Sequence, residues 1–291
     1  MLILQSQHIA DAAPVLSLEE RLERDEIVHF ASTPFPLPQG GDRAFLLQQQ
    51  LAGRVHKNIS YDPATGRATG FRRQSAIQTE RLTQVLDEFS AGVTTWLARA
   101  LPNYARSWQP DRASFRPVQE AGRALRLKAR NDLLHVDAFP SRPTFGRRIL
   151  RCFVNINPDQ PRQWITSEPF AALLDLYGSR VGLPGQQRWK EWLRRLFRPR
   201  RSACDQFMLR LHDYLKADAS FQKNCPRRHW TFAPGSAWLV FTDSVSHAAL
   251  EGQYALEHSY FVSVESLHDP ERAPIRLLEQ RCGVAPGTFA V

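Results

Sequence analysis

The sequence holds only four cysteines, Cys152, Cys204, Cys225 and Cys282, and no two of them form a Cys-x-x-Cys pair. That scarcity excludes a zinc ribbon and a dense disulfide framework, and it fits a reducing compartment. Nowhere do 18 apolar residues run together, so no membrane-spanning helix is expected. The opening "MLILQSQHIADAAP" has too short an apolar start for a signal-peptide core, and a cytoplasmic protein is expected. Internal repeats and low-complexity tracts are also lacking. Acidic residues are the minority charge: 38 Lys and Arg face 29 Asp and Glu, a formal net charge of +9 that favours anionic partners. Arginine far outnumbers lysine, which suits bidentate binding of carboxylate and phosphate but is also what a GC-rich genome produces.

What is present is enough apolar residue, 43% of 291, to bury a substantial core. A Pro-rich elbow, "STPFPLPQGGD", and a polar stretch, "SYDPATGRATGF", suggest short strands and loops before residue 75. From Ser75, Ile77, Leu82, Val85, Leu86, Phe89, Val93, Trp96 and Leu97 recur at helical spacing up to Pro102, which predicts an amphipathic helix that supports the core. Strand signals begin near residue 113 with "RALRLKAR" and continue in "RRILRCFVNINP". A basic helical block interrupts them from about 169 to 222, and they resume through "HWTF", "SAWLVF" and "QYALEHSYFVSV". Strands on both sides of a helical insert predict a mainly β barrel or sandwich surrounded by helices.

The segment "HVDAFPSRPT" carries the chemistry. In an extended chain residues two apart point to one side, so His135 and Asp137 can reach one ion. A two-residue motif is weak by itself and needs a third ligand. His247, in "FTDSVSHAALEG" at the end of an apolar strand, is the best candidate. Two histidines and one carboxylate form the facial triad of non-haem Fe(II) oxygenases, which leaves coordination positions open.

The blocks "LLHVDAFPSRPTFGRRILRCFVNINPDQPRQW" and "FAPGSAWLVFTDSVSHAALEGQYALEHSYFV" resemble the Kdo hydroxylases, Fe(II)/2-oxoglutarate-dependent dioxygenases acting on 3-deoxy-D-manno-oct-2-ulosonic acid in the lipopolysaccharide inner core. The resemblance implies a double-stranded β-helix (jelly-roll, cupin-like) in a single oxygenase domain over 1–291. Residues 1–112 would support it, 113–168 and 229–266 form its core, 169–228 form the basic helical insert, and 267–291 form a C-terminal helix and tail. It also implies His135, Asp137 and His247 as iron ligands, with 2-oxoglutarate and O2 as cosubstrates. The hydroxylated position would be C3 of a Kdo sugar linked to lipid A.

The far carboxylate of 2-oxoglutarate needs a buried cationic partner. Many oxygenases of the wider superfamily place an arginine or lysine eleven residues after the second histidine, and His258 stands there in this sequence. Arg151, alone in an apolar run, and Asn155 on its strand face are further candidates, with Gln253 and Ser259 behind them. Arg142, Arg147, Arg148 and Arg162 are candidates for holding the sugar carboxylate, although Arg148, beside another arginine at a strand start, also reads as solvated.

Within "RWKEWLRRLFRPRR", residues 188–201, a basic amphipathic pattern with tryptophans suits either an anionic membrane surface or packing on the barrel. A lipid-linked substrate favours peripheral attachment to the inner face of the bacterial inner membrane. No helix-turn-helix, zinc-finger or RNP-like pattern is present, so no nucleic-acid partner is expected. Two alternatives remain: an oxygenase with another anionic substrate, and a cupin-like module that binds an anionic glycolipid without turnover.

Overall fold

A computed structural model describes residues 16–53, 56–184 and 201–290. Among the described residues ten strands form two antiparallel sheets: β1 Val28–Phe30, β2 Ile59–Asp62, β3 Arg67–Thr69, β4 Gln109–Arg116, β5 Arg148–Asn155, β6 Arg162–Pro169, β7 Arg228–Phe232, β8 Ala237–Phe241, β9 Val245–Glu251 and β10 Ala255–Val262. The major sheet has the order β1-β8-β5-β10-β4-β2-β3, and the minor sheet β7-β6-β9. His135 and His247 add a bridge at the β9 edge of the minor sheet. Two facing antiparallel sheets with these crossovers make a jelly roll, as expected. Strands from the first 70 residues pair into the same major sheet, so that segment is part of the one architecture.

Side-chain alternation divides the interior into two cores. On one face of the major sheet, Leu150, Cys152 and Val154 of β5, Leu239 and Phe241 of β8, and Leu256, Tyr260 and Val262 of β10 pack under the helix Ala76–Ala100. That helix begins with a reciprocal capping box between Ser75 and Gln78, a device that typically stabilises by about 1 kcal/mol. Leu82, Val85, Leu86, Phe89, Val93 and Leu97 are its buried stripe; Ile77, expected in that stripe, is 81% exposed because it sits in the first turn beyond the sheet. Between the two sheets lies a second, aromatic core of Phe153, Trp164, Phe232 and Trp238, with the Phe232 and Trp238 rings stacked at 3.8 Å. This plug fills one part of the intersheet space and leaves the rest to polar groups.

Two local expectations are corrected. "RALRLKAR" is loop and a short 3-10 turn, Leu127–Ala129, rather than strand; the strand preceding the motif is β4, whose first half is exposed and so lacks an apolar signature. The expected basic helical block is observed as helices Phe170–Val181, Ala203–Ala217 and Ala219–Asn224, while the segment read for membrane contact, 188–201, lies outside the described residues except for Arg201. The predicted C-terminal helix is Pro274–Cys282.

Candidate metal centre and its pocket

Backbone pairing assembles the three candidate ligands. The His135 amide donates to the His247 carbonyl at 3.1 Å and the His247 amide donates back at 2.9 Å, which sets the two histidines opposite each other. The Asp137 amide donates to the Thr242 carbonyl at 2.7 Å, so the His-x-Asp segment runs as an extra extended strand with both side chains turned between the sheets. One donor atom from each of His135, Asp137 and His247 lies within 4.8 Å of the others, and all three residues are buried.

The protonation states suit a cation. In each histidine Nδ1 faces a carbonyl, Leu133 at 2.7 Å for His135 and Val245 at 2.8 Å for His247. A carbonyl accepts only from N–H, so Nδ1 carries the proton and Nε2 keeps its lone pair for the centre. Burial, reinforced by Lys216, holds the His135 imidazole well below its ordinary value, and burial also lowers that of His247. Burial works against ionisation of Asp137, yet the Arg151 guanidinium beside it holds its carboxyl well below the usual range. The set is therefore two neutral imidazoles and one carboxylate at neutral pH, a good fit to an octahedral dication with open positions.

Arg151 donates to Asp137 Oδ2 at 2.8 Å, while Oδ1 faces His135 Nε2 at 3.6 Å. One oxygen is thus held by the arginine and the other is left for a metal. A chain of charges continues outward: Arg151 pairs with Glu257 at 2.7 Å, Glu257 with Arg116 at 2.8 Å, and Arg116 with Glu120 at 2.6 Å. Burial opposes the charge on Glu257, but Arg116 and Arg151 bring its pKa down to about 2. Arg151, proposed as a cosubstrate anchor, is in the pocket but its first partners are the candidate metal ligand and Glu257.

Ser259 lines the pocket, whereas His258, Asn155 and Gln253 are corrected by strand parity and by turn chemistry. His258 does share a face with Leu256, Tyr260 and Val262, but that face meets the long helix; its Nε2 bonds the Ser90 hydroxyl at 2.7 Å, away from the triad. Glu257 and Ser259, on the opposite face of β10, line the pocket instead. Asn155 donates to the Gln160 and Phe232 carbonyls, each at 3.0 Å, and accepts from the Asn157 amide, so its bonding capacity is committed to a turn. Gln253 is exposed in the β9–β10 loop and offers its carbonyl to Asn157.

Among the four substrate arginines, Arg142 and Arg162 line the pocket. Arg142 pairs with Asp111 and stacks over Phe139 at 4.3 Å. Arg162 is 1% exposed, donates to the Gly252 carbonyl at 2.7 Å, and leaves its Nε without a partner. Gly252 has φ +96°, and a Cβ there would lie 2.8 Å from the Arg162 Cα, so glycine is what allows this close approach. Arg147 and Arg148 are corrections. Arg147 bonds Gln109 and the Thr144 carbonyl outside the triad pocket, and Arg148 is fully buried, neither solvated nor at the pocket, where it bonds Asp243 and Ser244 and lies over the Phe241 ring.

The cavity around the triad has a volume of about 270 Å³, enough for more than an ion. Eight Lys and Arg side chains line it against three carboxylates, a balance that calls for anionic ligands. Sequence reasoning missed several of its residues. Trp164 stacks on the His247 ring at 5.2 Å and 16°, and its indole N–H has no partner. The His212 ring lies 5.1 Å from that of His135 with both nitrogens unpartnered. Lys57 and Lys216 also face the cavity. Trp164 stands two residues beyond Arg162 on one strand, a spacing that could have flagged it; Lys57, His212 and Lys216 gave no local signal.

Residues 5–285 match the family model described as 3-deoxy-D-manno-oct-2-ulosonic acid (Kdo) hydroxylase. The chain is similar to the apo structure of the Kdo hydroxylase KdoO, a non-haem Fe(II) α-ketoglutarate-dependent dioxygenase, with 37% identity, a TM-score of 0.82, and coverage of 91% of this chain and 88% of that one. It is likewise similar to KdoO with cobalt(II), at 36% identity, TM-score 0.82 and coverage of 92% and 89%. For KdoO with α-ketoglutarate and Fe(III) the values are 36%, 0.81, 91% and 89%. No curated protein matches the chain.

Proposed function

The chain belongs to the Kdo hydroxylase family, and from that premise we propose how its own residues carry out Fe(II)/2-oxoglutarate-dependent hydroxylation of a Kdo-containing substrate. The observation that carries the assignment of residues is the buried His135, Asp137 and His247 cluster with both Nδ1 atoms tied to carbonyls. These residues would hold Fe(II) through the two Nε2 atoms and one Asp137 oxygen. When bound, the iron with 2-oxoglutarate and O2 supplies the oxidising power to place oxygen in a C–H bond, 2-oxoglutarate leaving as succinate and CO2.

The protein's part is to orient and to exclude water. Arg151 occupies one Asp137 oxygen and would leave the other for the iron, and the stack of Trp164 on His247 limits rotation of that imidazole. The unpartnered Nε of Arg162 and the indole N–H of Trp164 project from one face of β6, two residues apart, and we assign them to the far carboxylate of 2-oxoglutarate. A buried cation without a full partner is stabilised by such a ligand. Arg142, stacked on Phe139 beside Pro140, is assigned to the sugar carboxylate.

We propose further that the reacting position is C3, the deoxy carbon of Kdo, in a sugar linked to lipid A. The net charge of +9 supports a meeting with that substrate at an anionic surface on the cytoplasmic face of the membrane. No helix among the described residues is long and apolar enough to cross a membrane. The test is mass spectrometry of a Kdo glycoside and of Kdo-bearing lipid A after incubation with Fe(II), 2-oxoglutarate and O2. A gain of one oxygen located at C3, absent when any of the three is withheld, is expected; succinate without a hydroxylated sugar would discard the substrate.

A further inference from the structure

Two ammonium groups in the pocket wall have no ion-pair partner among the described residues. Lys216, in the helix Ala203–Ala217, is 2% exposed, and its Nζ donates only to the Lys128 carbonyl, at 3.1 Å. Lys57 is half-buried, and its Nζ donates only to the Asn131 side-chain oxygen, at 3.2 Å. The carboxylates around them are engaged elsewhere: Asp132 with Arg130 at 2.5 Å, Asp213 with Lys128 at 2.5 Å, and Asp137 with Arg151 at 2.8 Å. Burial, and then the neighbouring Lys57, lower the Lys216 pKa to about 7. Two like charges facing one cavity, one buried and one half-buried, are mutually destabilising unless an anion lies between them.

Lys216 lies apart from the groups already assigned, and Lys57 stands between it and them, with Arg116, Glu120, Asp137 and Arg151 around it. The principal charged neighbours of Lys216 are Lys57, Asp137, Asp213 and Asp132, whereas those of Arg162 are Glu120, Arg116, Glu257 and Arg151. The two sets do not overlap, so Lys216 and Arg162 occupy different parts of the pocket. Arg142 has Arg151, Glu257 and Asp62 around it and is distinct again. One cosubstrate carboxylate at Arg162 and one sugar carboxylate at Arg142 therefore leave Lys216, with Lys57 beside it, without a ligand.

We propose that Lys57 and Lys216 form an anion subsite that takes a second anionic group of the substrate, a carboxylate or a phosphate separate from the carboxylate of the reacting sugar. The proposal rests on the Kdo-hydroxylase reading and deepens it: the preferred substrate is at least dianionic, and a lone Kdo unit fills the pocket incompletely. Asn131, which accepts from Lys57, fixes one ammonium, and the Lys128 carbonyl fixes the other. Both lysines keep further N–H groups for an incoming oxygen anion.

The test is calorimetric binding, without oxygen so that no turnover occurs, to enzyme loaded with Fe(II) and 2-oxoglutarate. The probes are a Kdo methyl glycoside, the same glycoside carrying a phosphate monoester, and a Kdo disaccharide glycoside with two carboxylates. Wild type is expected to bind one or both dianionic probes about 10- to 100-fold tighter than the monoanionic one, the effect of charge-assisted hydrogen bonds in a buried site. Whichever probe gains identifies the group. In Lys216→Met and Lys57→Gln that ratio should fall towards one; Lys57 is half-buried, so its variant carries the test if Lys216→Met does not fold. Equal affinities for all three probes in wild type, or a ratio retained in the folded variants, would overturn the subsite. Admission of air then tests the underlying reading separately: failure to hydroxylate any Kdo probe removes the reaction, whereas the binding ratio decides the subsite.

Discussion

Replacing Arg162 by methionine separates a cosubstrate anchor from a structural arginine. The change removes a guanidinium that is 1% exposed, bonded to the Gly252 carbonyl at 2.7 Å and 3.6 Å from Glu120. Glu120 keeps Arg116 at 2.6 Å, so no carboxylate is stranded, and the structural loss is roughly one hydrogen bond, about 1 kcal/mol. The methionine retains most of the apolar stem, so no large cavity opens. If Arg162 grips the far carboxylate, each charge-assisted bond lost is worth about 1.5–3 kcal/mol, which is a rise of about 10- to 150-fold in the 2-oxoglutarate Kd. The assay is calorimetric titration of the Co(II)-loaded protein with 2-oxoglutarate and, in parallel, with pyruvate, a keto acid that lacks the far carboxylate. Selectivity for 2-oxoglutarate over pyruvate should collapse in the variant. A variant that stays folded and keeps its 2-oxoglutarate Kd within about twofold, well below the loss of one charged bond, would refute the assignment and return Arg162 to a purely structural role.

Other consequences are equally concrete. Asp137→Ala and His135→Ala should each abolish hydroxylation and remove the rise in thermal stability that Co(II) gives the wild type, while circular dichroism stays native; normal activity in either variant with added iron would sink the triad. Arg148→Leu leaves Asp243 as an uncompensated buried carboxylate, which should destabilise by about 3–5 kcal/mol in urea unfolding without changing selectivity among Kdo probes. Burial lowers the His258 pKa from its ordinary 6.5 to about 4, so the unfolded chain binds the extra proton first. The contribution of His258 is complete above about pH 6.5 and declines as pH falls towards 4, reaching about 3 kcal/mol at most. Against His258→Gln, which cannot titrate, the wild type should lose stability more steeply over that window; parallel curves would show that His258 is not buried as a neutral imidazole.

The sequence made the triad and the strand pattern legible because both depend on short-range periodicity. His135 and Asp137 are two apart in an extended segment, and the Ser75 cap, the apolar stripe and Pro102 delimit the long helix within a residue. What one strand cannot disclose is which of its two faces meets which neighbour. β10 is buried on both faces, so the alternation of Leu256, His258 and Tyr260 marks an inward side without saying that the long helix, rather than the pocket, lies there. Arg148 and Arg151 raise the same difficulty three residues apart on β5: one is neutralised by Asp243 from a distant turn and the other by Asp137 and Glu257. Lys57 and Lys216 are 159 positions apart in the chain and become neighbours only through the fold.

The distribution of charge in the pocket then explains why an arginine-rich wall need not be an indiscriminate anion trap. Arg116 and Arg151 alternate with Glu120, Glu257 and Asp137 in a continuous chain, two cations held between three carboxylates, and low polarity between the sheets makes each link strong when all are present. That chain fixes Asp137 and offers a ligand little beyond the unpartnered Nε of Arg151. The groups left over are the ones without a complete partner: Arg162 Nε, Arg151 Nε, Trp164 Nε1, the His212 ring nitrogens, and the ammonium groups of Lys57 and Lys216. Recognition should therefore follow the incompletely paired donors and not the total number of cations. It follows that Arg116→Met and Arg162→Met, though both delete a buried arginine lining the same cavity, should fail differently. The first leaves Glu257 with Arg151 alone and Glu120 with only the Arg162 guanidinium at 3.6 Å, and it loosens Asp137 through Arg151, lowering metal affinity by the roughly 10- to 100-fold typical of lost outer-shell support. The second leaves metal affinity in place and loses 2-oxoglutarate. Titrating both variants with Co(II) and then with 2-oxoglutarate distinguishes the two; identical profiles would mean that the paired and unpaired charges act as one undivided field.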